Sequence, residues 1–483
     1  MADKIETPNI NLTMPTFGKH NIEKCRSKFK THFLDKMQNP FQLKQDIISL
    51  AVTCHLREEL IRPHSWKLFL NTLSFNDNIT LRAWMDETYK KREIFKKKLK
   101  QIKEKYNLEQ AKFNQNPSDN KFSNFEENSS IRHLIEIDVE RTYGDTKLFK
   151  DEYIRRMEED ILYVFSQENV PTSYKQGMNE ILAIFIHSFY PFYNASPVNN
   201  YTSEKFDLWC SDPGKYLNDI YSFFHDQNEL QSDLYYIMYN IMHMGLNKFY
   251  EDGIDPECKP DDQKNYLLLR CDYILDKLRK HNLKLYQHFM EIGLSAEVIL
   301  QRWLKCIFSR EFTPEDCIYI WDNILANEFN IPSKNLEYID YFCVAMFDYV
   351  SENLLTHDQN ECFICLFKYP PFQTIDILVN LSEKVKENVL KLDKPKESYF
   401  SFSNIKNKIG TKLNDFTGFF SKNNDNNEEE PKKVDVLAEL KAITDNKTRI
   451  IQLRNILNKY KSKFYADDRM KIDLLLSSLE KNV

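Results

Sequence analysis

The chain has 483 residues, 42% hydrophobic and 13% aromatic, enough for one large or two medium cores with shorter appendages. Lys+Arg 66 against Asp+Glu 72 leaves a net charge of -6, and that balance does not mark a nucleic-acid binder. Only 9 residues are glycine, no two spaced as G-x-G, and neither Gly18-Lys19 nor Gly214-Lys215 runs on into Ser or Thr, which excludes a Rossmann turn and a P-loop.

Few glycines, few hairpin dipeptides and long stretches of Leu, Ile, Lys, Glu and Phe predict an all-α protein. Residues 1–17 are polar and lack a secretory pattern, and the ten cysteines are scattered, so a cytosolic chain without a disulfide framework is expected. After an N-terminal flank of residues 1–40, the first helical pattern spans 41–70, broken at Pro63. Residues 89–105 hold nine Lys or Arg and two Glu. That run reads either as a surface for an anionic membrane or partner, or as a solvated helix face, and the second is favoured. Residues 114–128 read as a loop into a helix that begins near Ser130.

The apolar run 181–194 contains Pro191 and falls short of the roughly 20 residues of a membrane span, so it reads as a core helix with His187 as a core histidine. Residues 194–214 read as a surface insertion, and 217–389 as helical again. Cys362 and Cys365 form a C-x-x-C with apolar neighbours and no second pair. Because a zinc site needs about four ligands, they read as helix cysteines, and no metal site is expected. Beyond 385 comes a linker, 386–433, and then a short helical unit, 434–483. Within the linker, Phe402, Ile405, Ile409, Leu413, Phe416 and Phe420 recur at helical spacing over 402–420. The stripe reads either as docking on the helical body or a partner groove, or as adsorbing to a membrane.

One constellation carries chemistry. Ile135-Glu136-Ile137-Asp138-Val139-Glu140-Arg141 reads I-x-x-D-x-x-R, and Tyr174-Lys175-Gln176-Gly177 reads Y-x-Q-G, with Gln176 35 residues after Arg141. Asp138 and Arg141 are three apart and therefore neighbours on a helix surface, where the carboxylate can hold the guanidinium, while Ile135 falls on the adjoining core face. Tyr174 and Gly177 shape the loop, Gly177 letting the backbone pass close to a partner. An arginine offers a permanent fork of donors to phosphate oxygens. A glutamine amide both donates and accepts, so it can orient water without titrating.

Together these stretches resemble the two signature motifs of TBC-domain Rab GTPase-activating proteins. Arg62 to Phe69, with its Arg-x-x-x-Trp, and the later blocks Arg302-Trp303-Leu304, Ser309-Arg310-Glu311-Phe312 and Trp321-Asp322 extend the likeness over 41–385. Tyr174 to Met178, the R-E-F and W-D blocks and Phe367-Lys368-Tyr369-Pro370 look closest to the subgroup that acts with retromer on late endosomes. Gly144 and Phe122 depart from the usual pattern. The resemblance implies a two-lobed all-α TBC domain with both motifs in its amino-terminal lobe and a helical C-terminal appendage. It further implies that Arg141 and Gln176 act in trans on a GTP-bound Rab, with Gln176 standing in for the Rab's own glutamine. The protein would then be a GTPase activator and not a stand-alone hydrolase, with no cofactor of its own, since GTP and Mg2+ belong to the Rab. A retromer-type coat, peripheral membrane contact and an endosomal or vesicle-membrane location follow from the same likeness, and no nucleic acid does. The alternative is a catalytically silent scaffold that holds a Rab or a coat on a TBC fold.

Overall fold

A computed structural model describes residues 13–393, apart from 116–122, 171, 197–200, 257, 259–262, 334 and 372–373. The segments 402–420 and 434–483 lie outside the described residues. In chain order the helices are α1 (Ile22–Phe29), α2 (Pro40–Val52), α3 (Arg62–Phe69), α4 (Leu81–Gln115), α5 (Ser123–Arg141) and α6 (Glu152–Glu168). There follow α7 (Met178–Phe189), α8 (Ser203–Ser211), α9 (Leu217–Phe224), α10 (Leu230–His243), α11 (Tyr266–His281) and α12 (Leu283–Glu291). The remainder are α13 (Ala296–Cys306), α14 (Pro314–Asn330), α15 (Tyr338–Tyr349), α16 (Ser351–Leu354), α17 (Gln359–Phe367) and α18 (Asp376–Asp393). No strand forms among the described residues, only two isolated bridges, so the fold class is all-α.

Helix starts follow local chemistry. Asp151 caps α6 by accepting from the Tyr153 and Ile154 amides at 2.9 and 3.3 Å. Thr313 caps α14, with Pro314 in its first turn, and Asp358 and Glu361 make a reciprocal capping box on α17. Three boundaries differ from the sequence expectation. The pattern over 41–70 is interrupted by the turn 53–61, where Cys54 and Leu60 have positive φ, and not by Pro63. Pro63 lies in the first turn of α3, where its missing amide donor costs nothing. Helix α5 starts at Ser123, ahead of Ser130, and the supposed insertion 194–214 contains α8. Its Phe206 and Trp209 are buried, their rings 5.1 and 6.5 Å from that of Phe223.

Helices α4, α5, α6, α7 and α10 pack on one another, and so do α11, α13, α15 and α18. Helix α14 joins the two groups, touching α2, α3 and α7 as well as α15. The joint is polar at its centre. Asp322, wholly buried, accepts from Arg62 Nε at 3.0 Å and Nη2 at 2.9 Å and from Trp66 Nε1 at 2.7 Å. The Trp66 ring stacks 6.1 Å from that of Trp321. The Arg-x-x-x-Trp and W-D blocks are therefore two halves of one packing unit.

The lysine-rich run lies on α4, and its charge is largely paired. Arg92 is buried and grips Asp233 at 2.7 and 2.8 Å, Lys103 pairs with Asp160 at 2.6 Å, and Lys96 and Lys98 reach Glu229 and Glu168. Those carboxylates belong to α6, α10 and the turn before α10. The run is thus a helix face bonded to its neighbours.

Candidate functional site

The site forms where the end of α5 meets the start of α7. Helix α7 is almost wholly apolar and buried along its length, so its first residue is fixed by the core behind it. Tyr174 in the preceding loop is buried, and its hydroxyl lies 2.8 Å from Asp138 Oδ2 and 3.2 Å from Asn179 Oδ1. With one proton to give, it donates to the nearer, charged oxygen. Burial, with the Asp138 bond adding to it, pushes the Tyr174 phenol far above its ordinary range and keeps it a donor.

Asp138 is only 2% exposed, whereas the Arg141 side chain is 62% exposed. The other oxygen of Asp138 takes a hydrogen bond from Arg141 Nη2, and Arg141 Nε donates to the Ile137 carbonyl at 3.2 Å. The arginine therefore rests along its own helix, with its outer nitrogen unbonded among the described residues. Gln176 is exposed, and its side chain makes no hydrogen bond among the described residues.

Asn179 links the two segments. Its Nδ2 donates to Thr142 Oγ1 at 2.7 Å, one residue past Arg141, and its Oδ1 accepts from the Gly177 amide at 3.1 Å, one residue past Gln176. Thr142 in turn donates to the Asp138 carbonyl at 2.8 Å. Arg141 and Gln176 thus project from segments that one asparagine ties together. The sequence reading missed Asn179, although a polar amide early in an apolar helix was a visible signal, since asparagine favours caps and turns over helix interiors.

One expectation about the supporting residues needs adjustment. Ile135 is core, as its place on the adjoining face implied. Gly177 is needed for its backbone, with φ at +104°, but the close approach is to the protein itself. A Cβ there would lie 3.2 Å from Cys306 Sγ and 3.6 Å from the Tyr250 hydroxyl. His187 is half-buried at the edge of the core, and its Nε2 is satisfied by Glu315 at 3.3 Å. The Cys362 thiol faces the Leu354 carbonyl at 3.5 Å, and burial pushes it up to about 11, which leaves it protonated and structural. The stripe from Phe402 to Phe420 lies outside the described residues.

A third wall comes from the α13–α14 connection. The Tyr143 hydroxyl donates to the Ser309 carbonyl at 3.0 Å, and Arg310 Nε lies 3.3 Å from Glu180 Oε1. Burial raises the Glu180 carboxyl above its usual range against the pull of Arg310. Arg302 Nε is 2.7 Å from Glu311 Oε1, and burial raises the Glu311 carboxyl to about 7. Beneath the site, Glu158 on α6 is fully buried and neither of its oxygens finds a hydrogen-bond partner among the described residues.

With this arrangement in view, the relatives of the chain can be placed. Residues 59–355 match the Rab-GTPase-TBC domain, and the protein belongs to that family. TBC1 domain family member 5 of Mus musculus is 27% identical over 277 residues, which cover 53% of this chain and 31% of that relative. TBC1 domain family member 5 homolog B of Dictyostelium discoideum is 23% identical over 481 residues, covering 76% of this chain and 44% of its own length. The chain therefore spans under half of the length of these relatives. Among solved structures, the crystal structure of the Ypt/Rab-GAP domain of Gyp1p superposes with a TM-score of 0.54 at 19% identity, covering 77% of this chain and all of that one, a likeness of fold.

Proposed function

We propose that the protein accelerates GTP hydrolysis on a Rab-family GTPase in trans, with Arg141 supplying a finger to the phosphates and Gln176 orienting the attacking water. The observation that carries this is the cross-bonded pair of segments, each presenting one exposed side chain of the right chemistry. Hydrolysis on a small GTPase is slow because phosphoryl charge is incompletely neutralised and water is poorly held. Arg141 answers the first defect: its outer nitrogen is unbonded among the described residues, and Asp138 holds the inner one so that the fork arrives oriented. Gln176 answers the second, its amide unspent on internal bonds. GTP and Mg2+ are the partner's, so the chain acts as an activator with no cofactor of its own.

The family and the likeness to relatives named TBC1 domain family member 5 support a role in vesicle traffic. The retromer coat and the endosomal membrane enter this reading through the subgroup resemblance of Tyr174 to Met178 and of the later blocks. No described helix is long and apolar enough to cross a membrane.

The test is single-turnover hydrolysis across a panel of purified, GTP-loaded Rabs. Wild type should stimulate one or a few. Arg141→Ala and Arg141→Lys should each lose about 10³-fold, because an ammonium cannot reproduce the fork. Gln176→Ala should lose rate while the far-UV circular dichroism stays unchanged. Arg141→Ala acting as well as wild type would remove the arginine from the mechanism, and binding of a GTP-loaded Rab without stimulation by wild type would favour a scaffold.

A further inference from the structure

We propose that the bend at residues 305–311 is a clamp that sets the two catalytic segments against each other, and that Arg310 is a positioning residue which holds the start of α7, and with it Gln176, through Glu180. The proposal rests on the reading of Gln176 as a catalytic group.

Three observations carry it. The first is contact with both segments. Tyr143, two residues past Arg141, is bonded to the Ser309 carbonyl, while the Gly177 backbone packs on Cys306 and Glu180 faces Arg310. A change in the bend therefore reaches both motifs at once.

The second is its backbone. Ile307 and Phe308 are consecutive left-handed residues, with φ at +42° and +64°, and both are buried. A β-branched residue in that region is an outlier, and such conformations are unfavourable in isolation. They persist only where surrounding bonds over-determine them. Here Trp321 Nε1 holds the Ile307 carbonyl at 2.9 Å and the Phe308 amide donates to the Trp303 carbonyl at 3.1 Å. Tyr143 and Ser173 on the facing segments also have positive φ, at +43° and +50°.

The third is how Arg310 is held. Arg302 Nη2 donates to its carbonyl at 3.3 Å, the neighbouring Ser309 carbonyl takes the Tyr143 bond, and the guanidinium meets Glu180. Glu180 is the third residue of α7, four beyond Gln176. Its charge is favourable near that helix start, so a correctly oriented carboxylate is available for Arg310 to grip. With Nε directed at Glu180, Arg310 acts through the helix start and is not a further finger.

The experiment is stimulated GTP hydrolysis by the 483-residue chain with a Rab that responds to wild type, read as kcat and KM separately. Arg310→Ala and Glu180→Gln should each lower kcat by about tenfold to a hundredfold, the scale of a misplacement near 1 Å, with KM little changed. In a Gln176→Ala background, Arg310→Ala should cost less than twofold more, because the group that it positions is gone. The exchange Arg310→Glu with Glu180→Arg should recover part of the lost kcat. Tyr143→Phe, which keeps the ring and loses one bond, should lower kcat at temperatures where the variant is fully folded. Additive losses of Arg310→Ala and Gln176→Ala, or a loss confined to KM, would overturn the positioning role while leaving the activator reading intact. If wild type stimulates no Rab, the underlying reading fails instead.

Discussion

At the scale of single residues, the site depends on atoms that do no chemistry. Gly177 has a backbone that an L side chain rarely adopts, and the space for a Cβ is taken by Cys306. Gly177→Ala should therefore cost about 1–2 kcal/mol in urea unfolding for the left-handed backbone, and more where the cysteine cannot yield. Stimulated hydrolysis should fall further than stability, since the strain is released into the Gln176 loop. Equal stability and equal stimulation in the alanine variant would show that the loop tolerates a shifted backbone. The pair of Arg141 and Gln176 was legible in sequence because two short motifs fix residue type and order. Glu180 and Arg310 were not, because their roles are defined by partners far along the chain: the bond of Arg310 to Glu180 spans 130 residues.

At the scale of elements, periodicity was a good guide wherever a helix buries a plain apolar face, as α7 does, and a poor one where a charged residue turns inward. Helix α6 shows the reason. Glu158 lies in a run of mostly charged residues, Arg155 to Asp160, that reads as solvent-facing, yet it is wholly buried and has no hydrogen-bond partner among the described residues. Burial raises its carboxyl well above the ordinary range, with Glu180 and Glu159 adding to the shift and Arg155 opposing it. The sign follows from linkage. A carboxyl with a raised folded-state pKa contributes fully below its unfolded value of 4.5, and that contribution is lost as pH rises through the folded value. Glu158→Met should consequently raise stability at neutral pH by about 1–3 kcal/mol. It should also remove a decline of up to about 1.4 kcal/mol per pH unit above pH 4.5. Denaturant titrations from pH 4 to pH 8 read both, and parallel curves for the two proteins would contradict the assignment.

At the scale of the whole molecule, the all-helical class was legible from glycine scarcity and periodicity, whereas the joint between helix groups was not. Arg62, Trp66 and Asp322 each belong to blocks that the sequence marks, but nothing local shows that they converge. Because removing one partner of a buried ion pair leaves a bare charge, Asp322→Ala should destabilise by about 3–5 kcal/mol. The loss of stimulation should track the unfolded fraction, and at low temperature the residual folded protein should retain wild-type kcat. A kcat defect in fully folded Asp322→Ala would mean that the joint reaches the site directly.

The distance along the chain between Tyr143 and Ser309 also places the site in time. These bonded residues are 166 positions apart, while the two motifs themselves are separated by only 35. At the usual pace of synthesis, on the order of ten to thirty seconds pass between the making of Tyr143 and the arrival of the carbonyl that it binds. A nascent chain that already carries both motif residues is for that interval without their third wall, so the site is complete only when the later part of the domain has been made.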